Sequence, residues 1–187
     1  FNIIINMPVV ENTYNKPISF TLTNIAKFLS FMSPFLLTFF IVMLSIFNNT
    51  LVKGLIFVMG LVIITFINYL LKNMLREEQN PYASPFCNIL PMPFTVANAN
   101  VIYSSPSLTS TLMGYISSYL IFPMKINNKI NPGLLTFLIA ITLLNSTVES
   151  HDKCSTFGGI FLGLVVGILF GLLYYGLISV SGHKELV

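Results

Sequence analysis

The chain has 187 residues, of which 55% are hydrophobic and only 8% are charged, and its formal net charge is +3. Because a soluble domain carries about 25% charged residues, this composition excludes an ordinary soluble protein and predicts one compact membrane domain. The positive charge is also too small and too dispersed for a nucleic-acid-binding surface.

The apolar runs predict an all-α, polytopic transmembrane bundle of about five spans, preceded by a surface segment at residues 1–24. The bundle itself, residues 25–187, is treated as a single domain. A helix needs about 20 apolar residues to cross the hydrocarbon core. The first run contains Pro34, which a membrane helix tolerates and which can kink it. The predicted spans are residues 28–47, 51–71, 106–122, 133–148 and 157–180.

A polar stretch from Lys72 to about Ser105 separates the second and third spans. It carries Arg76, two neighbouring glutamates and several prolines. Such proline density excludes a regular helix through its middle, and loops of this length are often functional. We therefore expect a polar, proline-rich loop on one side of the membrane.

Glycines recur at every fourth position of the last span, which places them along one face of a helix. Glycine is common in membrane helices generally, but this strict register favours a packing face. Without side chains, glycines let a neighbouring helix approach closely, and this packing holds helices together in lipid. We expect the face to pack against another helix of the same chain. Its members are Gly159, Gly163, Gly167 and Gly171.

Five spans place the two termini on opposite sides of the membrane. Side A holds the N-terminus, the 72–105 loop and residues 149–156, while side B holds the short connections and the C-terminal tail. Lys and Arg number five on side A and four on side B, so the positive-inside count does not decide the orientation. The basic residues of side B lie in shorter loops, which favours a cytoplasmic side B and a lumenal or exterior side A.

The only two cysteines, Cys87 and Cys154, both belong to side A. Disulfides persist in oxidising compartments such as a lumen or the exterior. Free cysteine, however, also packs well as a small hydrophobe. The sequence does not give the separation of their Cα atoms, so a disulfide and two free thiols both stay open.

Three polar segments of side A occur in a characteristic order. They are Lys72 through Gln79-Asn80-Pro81, then Pro106-Ser107-Leu108-Thr109, then Leu144-Asn145 through His151 to Ser155. This order resembles the type 2 phosphatidic acid phosphatase superfamily, the lipid phosphate phosphatases, over roughly residues 54–180. The motifs of that family are Lys-x6-Arg-Pro, Pro-Ser-Gly-His and Ser-Arg-x5-His-x3-Asp.

The resemblance implies that His151 would attack phosphorus and that Lys72 and Ser107 would hold the phosphate. The chain departs from the family at four other positions. The two arginines that clamp the phosphate, the histidine acid and the orienting aspartate correspond to Gln79, Asn145, Thr109 and Ser155. Without the arginines most of the phosphate clamp is lost, and threonine is not a general acid near neutral pH.

Residues near the altered motif positions could replace only part of the lost phosphate contacts. Arg76 lies one helical turn from Lys72 and within reach of a phosphate. Asp152 is adjacent to His151 in sequence, and adjacent residues do not face each other on a helix, so we expect it to be poorly placed to orient the imidazole.

The sequence therefore predicts a non-catalytic membrane protein with a lipid-phosphatase-like bundle, acting as a structural or anchoring subunit of a membrane assembly. We expect Lys72, Ser107 and His151 to share one recess, with Arg76 and Thr109 as further headgroup ligands. Expected partners are membrane lipids and other protein subunits, without nucleic acid, metal or cofactor. The alternative is an active lipid phosphate phosphatase with rearranged ligands. A channel or transporter has less support, because no predicted span carries a charge well inside it.

Overall fold

The computed structural model describes residues 21–88 and 102–180, which form an all-α bundle without β-strands in these two ranges. The helices are α1 (Leu22–Phe47), α2 (Leu51–Leu75), α3 (Leu108–Ile126), α4 (Pro132–His151) and α5 (Phe157–Val180), with a short 3₁₀ helix at Pro85–Asn88. The predicted fold class is confirmed. Most of the predicted surface segment 1–24 lies outside the described residues.

Four of the five predicted spans have different limits in the structure. α1 begins at Leu22 instead of residue 28, because the Thr21 side chain caps it by accepting a hydrogen bond from the Asn24 amide. α2, α3 and α4 end at residues 75, 126 and 151 instead of 71, 122 and 148. The predicted limits followed the apolar residues, whereas a helix continues through polar residues while its backbone groups stay paired.

Four helices, α1, α2, α4 and α5, are long and apolar enough to cross a membrane. The 26 residues of α1 and the 24 of α5 extend about 39 and 36 Å, which exceeds a hydrocarbon core of about 30 Å. The chain is therefore a multi-pass integral membrane protein. α3, the third of the predicted spans, is shorter and more polar, and it contacts each of the other four helices. Its surroundings are mainly protein.

α3 and α5 form the most extensive helix contact of the bundle, and the glycine stripe lies in it. All four glycines are buried. A Cβ atom on Gly163 would lie only 2.7 Å from the Ser107 carbonyl oxygen, and one on Gly167 would overlap the carbonyl oxygen of Thr111. The backbones of the two helices thus touch where the four-residue spacing predicts a packing face.

α1 continues without a break through Pro34. A proline has no N–H group, so the carbonyl of Ser30, four residues earlier, loses its helical donor. The Ser33 hydroxyl donates a hydrogen bond of 2.7 Å to that carbonyl oxygen. The helix therefore keeps this buried backbone acceptor satisfied, as a membrane interior requires.

Aromatic rings fill the space between α2, α3 and α5. Tyr115, fully buried at the centre, stacks on Phe57 with ring centroids 5.6 Å apart. Its hydroxyl donates to the Phe57 carbonyl oxygen at 3.0 Å. Tyr119 and Tyr175 extend the cluster along the same helices. This aromatic core fixes α2 against the α3–α5 pair.

Substitution of Gly167 by alanine is expected to lower the free energy of unfolding by about 1–3 kcal/mol, because the new methyl group would meet the α3 backbone, which cannot yield as a flexible side chain does. Gly176→Ala on the same helix is the matched control. Nothing lies within 4 Å of a Cβ there, so it should leave stability unchanged or raise it by about 1 kcal/mol or less. Thermal unfolding in detergent measures both, and equal melting temperatures would show that the stripe does not hold the helices together.

Candidate functional site

All five helices contribute to one end of the bundle, which we call the polar end. Lys27 of α1 forms an ion pair with Asp152, which follows α4, at 2.6 Å. Lys72 near the end of α2 donates to the Tyr103 carbonyl oxygen at 3.0 Å. The Ser107 amide, at the start of α3, donates to the carbonyl oxygen of Gly159 in α5 at 3.0 Å. The three polar segments assigned to side A thus lie together.

A cavity of about 80 Å³ lies at the polar end. One part of its wall is apolar and includes Phe31 and Phe35 of α1. The other part is polar. The polar side chains that line it are Lys72, Gln79, Tyr103, Ser104, Ser107, Thr109, Glu149 and Ser155. The site is therefore amphipathic, because its lining combines two ionisable groups with apolar side chains.

Glu149 is the acidic group of this cavity, and only 2% of its surface is exposed. Its carboxylate accepts hydrogen bonds from the Ser107 hydroxyl, 2.8 Å from both oxygens, and from the Ser110 hydroxyl at 2.9 Å. A buried carboxylate is tolerated only when it is hydrogen-bonded or paired. Ser107 therefore directs its single proton to Glu149, so it is not a free donor for a phosphate.

Lys72 is the basic group of the same cavity. Its ammonium group and the carboxylate of Glu149 both line the cavity. Within residues 21–88 and 102–180 the lysine–carboxylate ion pair is Lys27–Asp152, and the His151 imidazole also contacts Asp152. Lys72 and Glu149 thus face one cavity as opposite charges without direct contact.

The structure does not bring His151 into this cavity. Its side chain is 81% exposed, and it is not among the lining residues. The expectation that it shares a recess with Lys72 and Ser107 is therefore wrong. The expectation about Asp152 is also wrong, because His151 Nδ1 lies 3.1 Å from Asp152 Oδ1. Asp152 caps the helix with φ −83° and ψ 6°, so the spacing rule for residues within a helix does not apply to it.

Arg76 also lies apart from the cavity. It caps α2 in the left-handed conformation, with φ 50°, and its side chain is exposed. Its Nε donates to the Asn73 carbonyl oxygen at 3.3 Å. Of the residues predicted to bind a headgroup, the cavity thus includes Lys72, Ser107 and Thr109.

Glu149 was not among the predicted site residues, because the apolar pattern placed it in a loop after the fourth span. α4 continues to His151, so Glu149 lies one helical turn after Asn145, on the same face. Asn145 accepts a hydrogen bond from the Ser30 hydroxyl at 3.3 Å and is buried. The four-residue spacing between Asn145 and Glu149, next to an apolar run, was the sequence pattern that could have indicated a shared helix face. Nothing in the sequence indicated the ion pair between Lys27 and Asp152.

A disulfide joins Cys87 and Cys154, whose Cα atoms are 5.3 Å apart. Both residues line the cavity, and the Ser84 amide donates to the Asp152 carbonyl oxygen at 3.0 Å. Of the two states that the sequence left open, a disulfide and two free thiols, the structure therefore contains the disulfide. The bond attaches the 3₁₀ helix to the connection between α4 and α5, so one wall of the cavity is covalently fixed.

No model of a known protein family matches the chain, and searches of curated proteins and solved structures also give no match. The class of protein is defined by the helices alone: a multi-pass integral membrane protein with an all-α bundle.

Alkylation of the native protein without reductant is expected to leave both cysteines unmodified, as mass spectrometry would show. Replacement of both by serine should lower the free energy of unfolding by about 4 kcal/mol in the chain-entropy model, because the bond closes a ring across a sequence separation of 67. Ser84→Ala, a mild change in the same segment, is the control. Two alkylated cysteines in the native sample would contradict the disulfide.

Proposed function

We propose that the chain is a non-catalytic membrane protein with a lipid-phosphatase-like bundle, and that the cavity at its polar end binds the headgroup of a membrane lipid. One observation carries this proposal. Five positions that correspond to phosphatase motifs come from separate segments of the chain and line the same cavity. They are Lys72, Gln79, Ser107, Thr109 and Ser155.

The side chains at the altered motif positions support a role without catalysis. Gln79 donates to the Cys154 carbonyl oxygen at 3.5 Å, and Ser155 donates to the Ser104 carbonyl oxygen at 3.0 Å. These groups connect segments of the bundle instead of forming a phosphate clamp. Phosphoryl transfer depends on stabilising spread negative charge, and the buried carboxylate of Glu149 would oppose it.

The apolar part of the wall supports a lipid as the ligand. Phe31 is buried in the bundle, whereas Phe35, one turn further along α1, is 42% exposed on a membrane-spanning helix. The lining thus combines buried ionisable groups with a partly exposed aromatic side chain of a membrane-spanning helix. A lipid offers both parts, because its headgroup is polar and its chains are apolar.

The disulfide supports an orientation with the polar end in an oxidising compartment, either a lumen or the exterior. In this orientation the C-terminus is cytoplasmic. We further propose that the chain anchors other protein subunits in the membrane. α4 is the least buried of the four apolar helices, with 17% of its most apolar window buried within the chain. Its surface is therefore the most available to lipids or to such subunits.

One observation favours the second candidate, an active lipid phosphate phosphatase with rearranged ligands. His151 is exposed and Asp152 holds its Nδ1 at 3.1 Å, as an orienting carboxylate would hold a nucleophilic imidazole. Against this candidate, His151 lies outside the cavity that contains Lys72.

Replacement of Lys72 by methionine is expected to weaken lipid binding about tenfold, because a hydrogen bond to a charged group contributes about 1.5–3 kcal/mol. Lys125→Met, an exposed lysine in the last turn of α3 at the opposite end, is the matched control. Native mass spectrometry of the detergent-solubilised protein, titrated with bilayer lipids, measures both. Equal lipid binding by the Lys72 variant and the parent would refute the cavity as a headgroup site.

Purified protein is expected to release no phosphate from phosphatidic acid or isoprenyl diphosphates above the level of a detergent blank. His151→Ala distinguishes the two candidate functions. Phosphate release by the parent that disappears in this variant would establish the active phosphatase and overturn the non-catalytic proposal.

A further inference from the structure

We infer that the headgroup bound in the polar-end cavity is zwitterionic and carries a primary ammonium group beside its phosphate, as in phosphatidylethanolamine. The inference rests on the proposed function and names the ligand class. It is drawn from Lys72 and Glu149, which place opposite charges on the wall of one cavity.

Both charged groups have hydrogen-bonding capacity left. An ammonium group has three donors, and in the described structure Lys72 uses one on the Tyr103 carbonyl oxygen. A carboxylate has about four acceptor positions. The hydroxyls of Ser107 and Ser110 donate to Glu149, and the Asn145 side chain also lies beside its carboxylate, which leaves at least one position for a ligand. A phosphate at Lys72 and an ammonium group at Glu149 would complete both sets of hydrogen bonds.

A purely anionic headgroup fits this cavity less well. Phosphatidic acid would bring negative charge next to a carboxylate that is 2% exposed, where repulsion is poorly screened. The family's arginine positions hold Gln79 and Asn145 here, so Lys72 is the one basic side chain in the described lining. A ligand with one charge of each sign matches one lysine and one glutamate.

The wall also favours a primary ammonium over a quaternary one. Glu149 is an acceptor, and a trimethylammonium group has no N–H to donate to it. Recognition of quaternary ammonium commonly uses an aromatic cage. At the polar end the carboxylate of Glu149 is instead contacted by the hydroxyls of Ser107 and Ser110, which is hydrogen-bonding chemistry suited to an N–H donor. The small cavity, about 80 Å³, also suits the smaller group.

The test compares the affinity of the full chain in detergent for four lipids with identical acyl chains. They are phosphatidylethanolamine, phosphatidylcholine, phosphatidic acid and diacylglycerol. Native mass spectrometry measures each affinity. Phosphatidylethanolamine is expected to bind about tenfold more tightly than phosphatidic acid or phosphatidylcholine, because it alone forms the charged hydrogen bond to Glu149. This comparison uses the parent protein and so does not depend on a variant that folds.

A Glu149→Gln variant then tests whether Glu149 causes the preference for phosphatidylethanolamine. The glutamine oxygen still accepts from the two serines but carries no charge, so the preference for the ammonium lipid should fall to about twofold or less. Glu78→Gln is the matched control, because Glu78 lies at the same end but is exposed and outside the cavity. Melting temperatures without added lipid show whether each variant is folded.

The outcomes separate the two proposals. Tighter binding of phosphatidic acid by the parent, or an unchanged preference in a folded Glu149→Gln variant, would overturn the zwitterionic ligand, although Lys72-dependent lipid binding would still support a headgroup site. If none of the four lipids binds to the parent, the headgroup site itself fails. The expected preference, lost in Glu149→Gln and retained in Glu78→Gln, supports both.

Discussion

The close backbone contact between α3 and α5 is the constraint on which the bundle depends. α3 carries serine, threonine and tyrosine side chains along its length, and it contacts each of the other four helices. A helix of this kind is stable at membrane depth only if its polar side chains have partners and lipid is kept away. The glycines of α5 make this possible, because any larger residue at Gly163 or Gly167 would push the two backbones apart.

The polar end follows from the same arrangement. Because α3 lies at the centre, its first turn places Ser107 and Ser110 beside α4, where they satisfy the carboxylate of Glu149. The Lys72 ammonium reaches the same cavity from α2. A cavity that holds opposite, unpaired charges differs electrostatically from a phosphate site built on arginines. The proposal of a zwitterionic ligand rests on these two charges.

Composition and periodicity predicted the fold class, the helix order and the helix-packing face, since these depend on patterns within single segments. The helix limits were less accurate, because polar residues such as Glu149 continue a helix when a neighbouring helix satisfies them. The predicted site residues included Lys72, Ser107, Thr109 and His151. The first three line the cavity, whereas His151 does not. The His151 side chain lies beside Asp152, which caps α4 and pairs with Lys27. Lys27 is distant in sequence, so no local pattern predicted this arrangement.

The central position of α3 also has a consequence for the biosynthesis of the protein. The helix that covers it most extensively, α5, lies closest to the C-terminus of the five and is synthesised last. α3 therefore cannot reach its final surroundings while α4 and α5 are still being made. During that interval its serine and threonine hydroxyls, including Ser107 and Thr111, face whatever surrounds the nascent chain. The close contact between the α3 backbone and the glycine face thus forms only after α5 has been made.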